Sequence, residues 1–247
     1  MAPKKRPQAE MSFFEHLDEL RIRLIYIAIA ILVATIGCYP FIDEILAFLT
    51  RPAGDLELIY TTPAEAFMSQ IRLSFISGVV VATPFLVYQV LAFILPGLHR
   101  SEKKSLFMMV FSMVLLFALG LSFGYFVVFP YALLFFLGFA REGLTALFSI
   151  NNYISFTFSF LIAFGFVFQA PLIFWFLGYL GLVSSEFLKK NAKYALLILA
   201  IISAIITPPD IFSQIMMLIP LLILYQIGIL LVRLTEKKRA RGDAKQQ

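Results

Sequence analysis

Charge is scarce in this 247-residue chain: Lys, Arg, Asp and Glu make up 14% of it, against about a quarter in an ordinary soluble domain. Cysteine occurs once, as Cys38, which excludes an internal disulfide and any cysteine-based metal cluster. The two histidines, His16 and His99, are far apart, and neither has zinc-ligand spacing. Phosphate-binding loops, nucleotide fingerprints and nucleophilic triads are missing too, which argues against a membrane enzyme. No long apolar run carries Asp, Glu, Lys, Arg or His at its centre, as proton relays and voltage sensors do. What fills the chain instead is hydrocarbon: 61% of residues are apolar, and 28 are Phe. One soluble core of this length could not hide so much apolar surface behind so few charges. The chain is therefore read as all-α and dissolved mostly in lipid, with no metal or other cofactor expected.

A membrane helix needs about 20 mostly apolar residues to cross about 30 Å of hydrocarbon. Six runs are candidates: Ile22 to Cys38, about Leu73 to Phe93, Leu106 to Phe129, about Ile154 to Leu177, Tyr194 to Thr207, and about Ile211 to Val232. The first has a basic flank like a signal peptide but lacks a small-residue cleavage site. The fifth is short, and is expected to extend backward through Lys190 and Lys193 with both side chains snorkelling, or to sit in a thinned bilayer. Pro220 is expected to kink the sixth. This reading makes residues 11–236 one six-helix membrane domain, between a flexible basic segment 1–10 and a basic polar tail 237–247.

Six spans put both termini on one side, and the basic residues choose it. All but three of the 20 basic residues fall on the terminal side; only Arg51, Arg72 and Arg141 lie opposite. That bias predicts cytoplasmic termini, with the acids divided almost evenly and adding nothing. The formal net charge of +5 thus reflects membrane topology, not nucleic-acid binding. The first outer connection, Tyr39 to Arg72, is long, and Phe41 to Leu49 within it has helical spacing. It is expected to form a short helix on the outer surface. Thr62-Pro63-Ala64-Glu65 reads as a capped start for the second span, with Thr62 as cap. Pro208-Pro209-Asp210 forces the last two spans into a tight hairpin.

A few polar residues need a reason to be where they are. Glu15, Asp18, Glu19, Arg21 and Arg23 crowd the approach to the first span. They read equally well as an interfacial anchor and as a receptor for a basic partner. Pro96-Gly97 turns the chain after the second span, and Ser101 with Glu102 opens the third, where Glu102 could simply favour the helix dipole. Phe93 and Leu95 could wall an apolar slot there or enter the headgroup region. Gln169 sits mid-span, where an unpartnered amide costs a few kcal/mol, so it must face protein or a wet cavity. A structural helix-to-helix hydrogen bond is the plain explanation. Asp210 suits an N-cap, and Gln214 follows it one turn on.

Several patterns then coincide in order. They are His16-Leu17-Asp18-Glu19-Leu20-Arg21-Ile22-Arg23-Leu24, the run from Pro84 to Phe93, Leu95-Pro96-Gly97-Leu98 with Glu102, and Tyr125-Phe126-Val127-Val128-Phe129-Pro130. Ala163-Phe164-Gly165 with Gln169 and Pro171, and Thr207-Pro208-Pro209-Asp210 with Ser213-Gln214, complete the set. Together they resemble the TatC family, the polytopic receptor subunit of the twin-arginine protein translocase, over nearly all of residues 11–236. The resemblance implies six helices in a concave, glove-like wall in a prokaryotic inner membrane. It implies recognition of Arg-Arg signal peptides on folded precursors, and export driven by the proton-motive force. Implied partners are TatA and TatB type single-span proteins and further copies of the chain itself.

The same resemblance assigns roles by position. Glu19 and Glu102 would bind the arginine pair, Phe93 and Leu98 would flank the recognition surface, and Arg21 matches a basic residue of the first motif. Asp210 and Gln214 match positions tied to translocation or partner contact. Several relatives place Glu where this chain has Gln169, which puts any scheme needing a titrating acid there in doubt. Met216, Met217 and Pro220 could present a groove to a partner helix or fill ordinary gaps in the bundle. The alternatives are a secondary small-molecule or ion transporter using a polar cavity near Gln169, and a purely structural membrane organiser.

Overall fold

The computed structural model describes residues 13–54, 58–94, 103–138, 148–206 and 211–243. Ten α-helices run through them: α1 (Phe13–Cys38), α2 (Ile42–Thr50), α3 (Pro63–Ile94), α4 (Lys103–Phe123), α5 (Phe129–Leu137), α6 (Ile150–Val167), α7 (Ala170–Leu180), α8 (Ser185–Lys190), α9 (Ala192–Ile206) and α10 (Ile211–Asp243). Two-residue strands β1 (Leu58–Ile59) and β2 (Phe148–Ser149) pair in parallel, Leu58 opposite Phe148 and Ile59 opposite Ser149. Among the described residues five stretches are long and apolar enough to cross a membrane: Phe14–Ala53, Pro63–Phe93, Phe107–Phe135, Ile150–Leu180 and Ile211–Arg239. The chain is an all-α polytopic membrane protein.

The expectation of six spans is met for those five. The remaining apolar helix, α9, has 15 residues, which at 1.5 Å per residue gives about 23 Å, short of the hydrocarbon thickness. It does reach back through Lys193, but Lys190 belongs to α8. Asn191 separates them: its Nδ2 donates to the Phe187 carbonyl at 2.9 Å, and its own carbonyl accepts from Tyr194 N at 3.0 Å. One asparagine thus ends one helix and begins the next.

The chain folds as two compact units. The first comprises the described residues of Met1–Pro40 and Ser74–Phe111. Within it α1 and the later part of α3 meet closely. Ser74 Oγ donates to the Thr35 carbonyl at 2.6 Å, and a Cβ on Gly78 would lie 2.6 Å from Thr35 N. Only glycine permits that approach, the small-residue packing by which helices associate where lipid offers no hydrophobic drive.

The second unit comprises the described residues of Phe41–Leu73 and Ser112–Gln247. Its core is aromatic: Phe129, Phe160, Phe164 and Met217 are fully buried beside Tyr153 and Leu221. Phe160 and Phe164 stand 5.2 Å apart, ring centre to ring centre. A Cβ on Gly120 would lie 2.5 Å from the Phe164 carbonyl, so α4 and α6 touch backbone to backbone there. Between α4 and α5 the turns over Gly124–Val128 widen to π geometry, with Phe129 N–H donating to the Gly124 carbonyl. Such a bulge re-aims side chains. Here Tyr125 donates its hydroxyl to the Phe48 carbonyl, and Tyr153 donates to the Leu49 carbonyl at 2.7 Å. The short helix expected in the first outer connection therefore exists as α2, but these tyrosines hold it against the protein.

Outside these cores the apolar residues face outward. Along α9, Leu197, Ile198, Ile201 and Ile205 are all more than half exposed. An apolar helix with such a face needs lipid or another apolar helix as solvent.

Candidate functional site

The acidic approach to the first membrane segment folds as the opening turns of α1, and 3.6 residues per turn bring His16, Glu19 and Arg23 onto one face. Arg23 donates to Glu19 Oε1 from Nε at 2.9 Å and from Nη2 at 2.5 Å. Its Nη1 reaches across to Gln89 of α3, donating to Oε1 at 2.9 Å. Charge-assisted bonds of this kind are short and strong, and the planar guanidinium suits them where an ammonium would not. Both side chains of the pair are 21% exposed. The second carboxylate oxygen of Glu19 is buried and has no hydrogen-bond partner among the described residues; His16 Nδ1 lies 4.0 Å from it.

Phe93 belongs to the same cluster. Its ring stacks on His16 at 4.3 Å with 12° between the planes. The structure therefore brings Phe93 beside the Glu19 neighbourhood, with His16 between them. Arg21 is not part of this cluster. It is two residues on from Glu19, about 200° around the helix. There it lines a shallow apolar groove with Leu17, Leu20, Leu24, Ile25 and Ala28. Glu102 and Leu98 lie outside the described residues.

Gln169, expected in mid-helix, occupies the junction between α6 and α7. Pro171, at the start of α7, supplies no N–H, and the break falls just before it. The Gln169 amide donates to the Met113 carbonyl of α4 at 3.1 Å and to the Gly165 carbonyl at 3.3 Å. The plain explanation, a bond between helices, thus holds for the nitrogen, while Oε1 is buried without a hydrogen-bond partner among the described residues.

On the last hairpin, Gln214 Nε2 donates to the Ala200 carbonyl at 3.2 Å, and the Gln214 carbonyl accepts from Ser203 Oγ at 2.7 Å. These bonds staple α9 to α10. Asp210 lies outside the described residues. Met217 is completely buried in the aromatic core and Pro220 is buried too; Met216 keeps part of its surface. Met217 therefore takes the gap-filling role that its flexible side chain suits. Among the described residues no group of three His, Cys, Asp or Glu side chains could hold a metal ion.

The family model for the Sec-independent protein translocase protein (TatC) matches residues 15–220, most of the chain. The chain belongs to the TatC family. A TatC of Desulforapulum autotrophicum is 44% identical over 239 residues, which is 95% of this chain and 88% of that one. A TatC of Carboxydothermus hydrogenoformans is 38% identical over 238 residues, covering 95% and 98% of the two chains. A crystal structure described as the twin arginine translocase receptor TatC superposes with a TM-score of 0.79 at 37% identity, covering 90% of this chain and 100% of that chain.

Three members of the cluster escape a reading of the sequence alone. Arg23 looks like an interfacial anchor, although its i,i+4 spacing from Glu19 is the signal of a pair. His16 reads as motif context, and Gln89 as a polar contact near Pro84. The stack on Phe93 and the bond across to α3 depend on how the two helices pack, which neither local pattern contains.

Proposed function

We propose that this chain is the receptor subunit of a twin-arginine translocase, and that it binds the paired arginines of signal peptides through Glu19 and Glu102. As a TatC-family protein it serves protein translocation as a multi-pass protein of the inner membrane. In this reading Phe93 and Leu98 flank the arginine site, and Arg21 helps position the signal. The termini face the cytoplasm, and six helices, α9 completing the set, form a concave, glove-like wall. TatA and TatB type proteins and further copies of the chain assemble on it, and the proton-motive force drives export. Asp210, Gln214 and the hairpin at Met216 serve translocation and partner contact, with Met217 and Pro220 packed behind that face. Gln169 contributes a polar tie between helices and takes no part in proton transfer.

The observation that carries the reading is the half-used carboxylate of Glu19. One oxygen already holds a guanidinium in good geometry, so the site has the chemistry to bind arginine. The other oxygen is desolvated and has no hydrogen bond among the described residues, a state that an incoming cationic donor relieves.

A photoreactive residue at position 93 of the full chain, in membranes, tests this. An Arg-Arg signal peptide should crosslink there, and a Lys-Lys version should do so far less. E102Q should lower the yield for the Arg-Arg peptide more than for the Lys-Lys control. Equal losses for both peptides, or no crosslink at position 93, would overturn the arginine-pair site.

A further inference from the structure

We propose that the groove between α7 and the end of α10 binds an anionic phospholipid. Trp175 and Tyr179 of α7 line it together with Leu231, Leu234, Thr235, Lys238 and Arg239 of α10, around a volume of about 510 Å³. The five α10 residues recur at helical spacing and so form one stripe. Along the stripe the chemistry changes from leucine to lysine and arginine over about 12 Å at 1.5 Å per residue. That is the passage from acyl chain to headgroup. Trp175 and Tyr179 stack at 5.9 Å, and aromatic side chains of this kind collect at the same depth.

The charged end is built. The Arg239 guanidinium stands 5.9 Å over the Tyr179 ring, within cation–π reach. Beneath it Gly181 ends α7 in the left-handed conformation at φ 77°, where a Cβ would lie 3.1 Å from Arg239 Nη1. Glu236, three residues before Arg239, is occupied elsewhere: its Oε1 accepts from Ser185 N at 2.9 Å, and Oε2 from Ser185 Oγ at 2.5 Å. Thr235 gives its hydroxyl to the Leu231 carbonyl. Among the described residues, neither Lys238 nor Arg239 joins an ion pair. Two cations with no ion pair among the described residues, above an apolar, aromatic-walled floor, complement a phosphate carrying a net negative charge on acyl chains. A zwitterionic headgroup brings its own ammonium and gains less.

Trp175 is the sole tryptophan of the chain, so its fluorescence reports on this groove alone. The full chain would be reconstituted in phosphatidylcholine with increasing fractions of brominated phosphatidylglycerol or brominated phosphatidylcholine. At about 1 kcal/mol per basic residue near a membrane surface, phosphatidylglycerol should reach half-quenching at a fraction at least about fivefold lower. K238Q/R239Q should bring the two curves together. K189Q/K190Q, which removes the same charge from α8, should keep them apart. Equal quenching in the unaltered chain, a preference surviving K238Q/R239Q, or one lost equally in K189Q/K190Q would overturn the proposal.

Discussion

Two half-buried glutamates, one in each unit, use their oxygens in opposite ways. In the second unit Glu65 is surrounded by neutral donors. Its Oε2 accepts from Thr61 N at 2.7 Å and from Thr61 Oγ1; its Oε1 accepts from Ser149 Oγ and from Asn151 N at 3.4 Å. With Glu65 N–H donating to Thr62 Oγ1 at 3.2 Å, the start of α3 is bound to the region where β1 and β2 pair. In the first unit Glu19 has a guanidinium on one oxygen and, among the described residues, no hydrogen bond on the other. A carboxylate saturated by neutral backbone and hydroxyl donors is a structural tie, with no acceptor left for a ligand. One that holds a cation with half of its capacity is poised to hold another.

The largest effect that tests this contrast is on peptide affinity. E19Q removes a charged acceptor, worth roughly 1.5–3 kcal/mol, so Arg-Arg peptide binding should weaken about ten- to a hundredfold. Titration of a labelled peptide against the reconstituted chain measures it, and unfolding should change much less. If E19Q lowers stability while affinity holds, Glu19 is a tie like Glu65 and the contrast is gone. E65A should behave in the reverse way. It strands the Thr61, Ser149 and Asn151 donors together, so the denaturant midpoint should fall, while the folded fraction binds peptide normally.

How far each region was legible in the sequence follows from whether its partners are local. The cap at Thr62 with Glu65 three residues on could be read directly, because a helix start is written in adjacent residues. What could not be read is that Glu65 also ties in Ser149 and Asn151. Two-residue strands have no period, and nothing in the outer connection announces β1. The apolar runs marked most spans well, yet missed the junction at Gln169 and the break at Asn191. In both, the chain stays apolar or basic while its backbone hydrogen bonds change hands. Only the family resemblance picks Glu19 out of its acidic neighbourhood; Gln89 sits on another helix, and no spacing rule links positions 19 and 89. Met217 looked equally suited to a surface or a core until packing turned it inward.

Arg23 offers a finer test of the first unit. R23K keeps the charge, but an ammonium cannot copy the fork that spans Glu19 and Gln89. Glu19 should lose its fixed orientation, and Arg-Arg peptide affinity should fall about fivefold, close to 1 kcal/mol. Unchanged affinity would mean that Arg23 is an interfacial anchor and that Glu19 works without it.

The smallest change belongs to the second unit. S149A deletes one neutral donor to Glu65 and leaves Oε1 with only the long Asn151 N–H bond. Only one of the neutral donors to this carboxylate is lost, so the denaturant midpoint should fall less than in E65A. Because β2 carries Ser149 beside β1, the loss should appear as earlier proteolysis of the connection between α2 and α3. Peptide titration should be unaffected, since the bonds of Ser149 and Glu65 described above stay within the second unit. A change in affinity without a change in unfolding would show that Glu65 also serves the ligand, and would remove the division of labour between the two carboxylates.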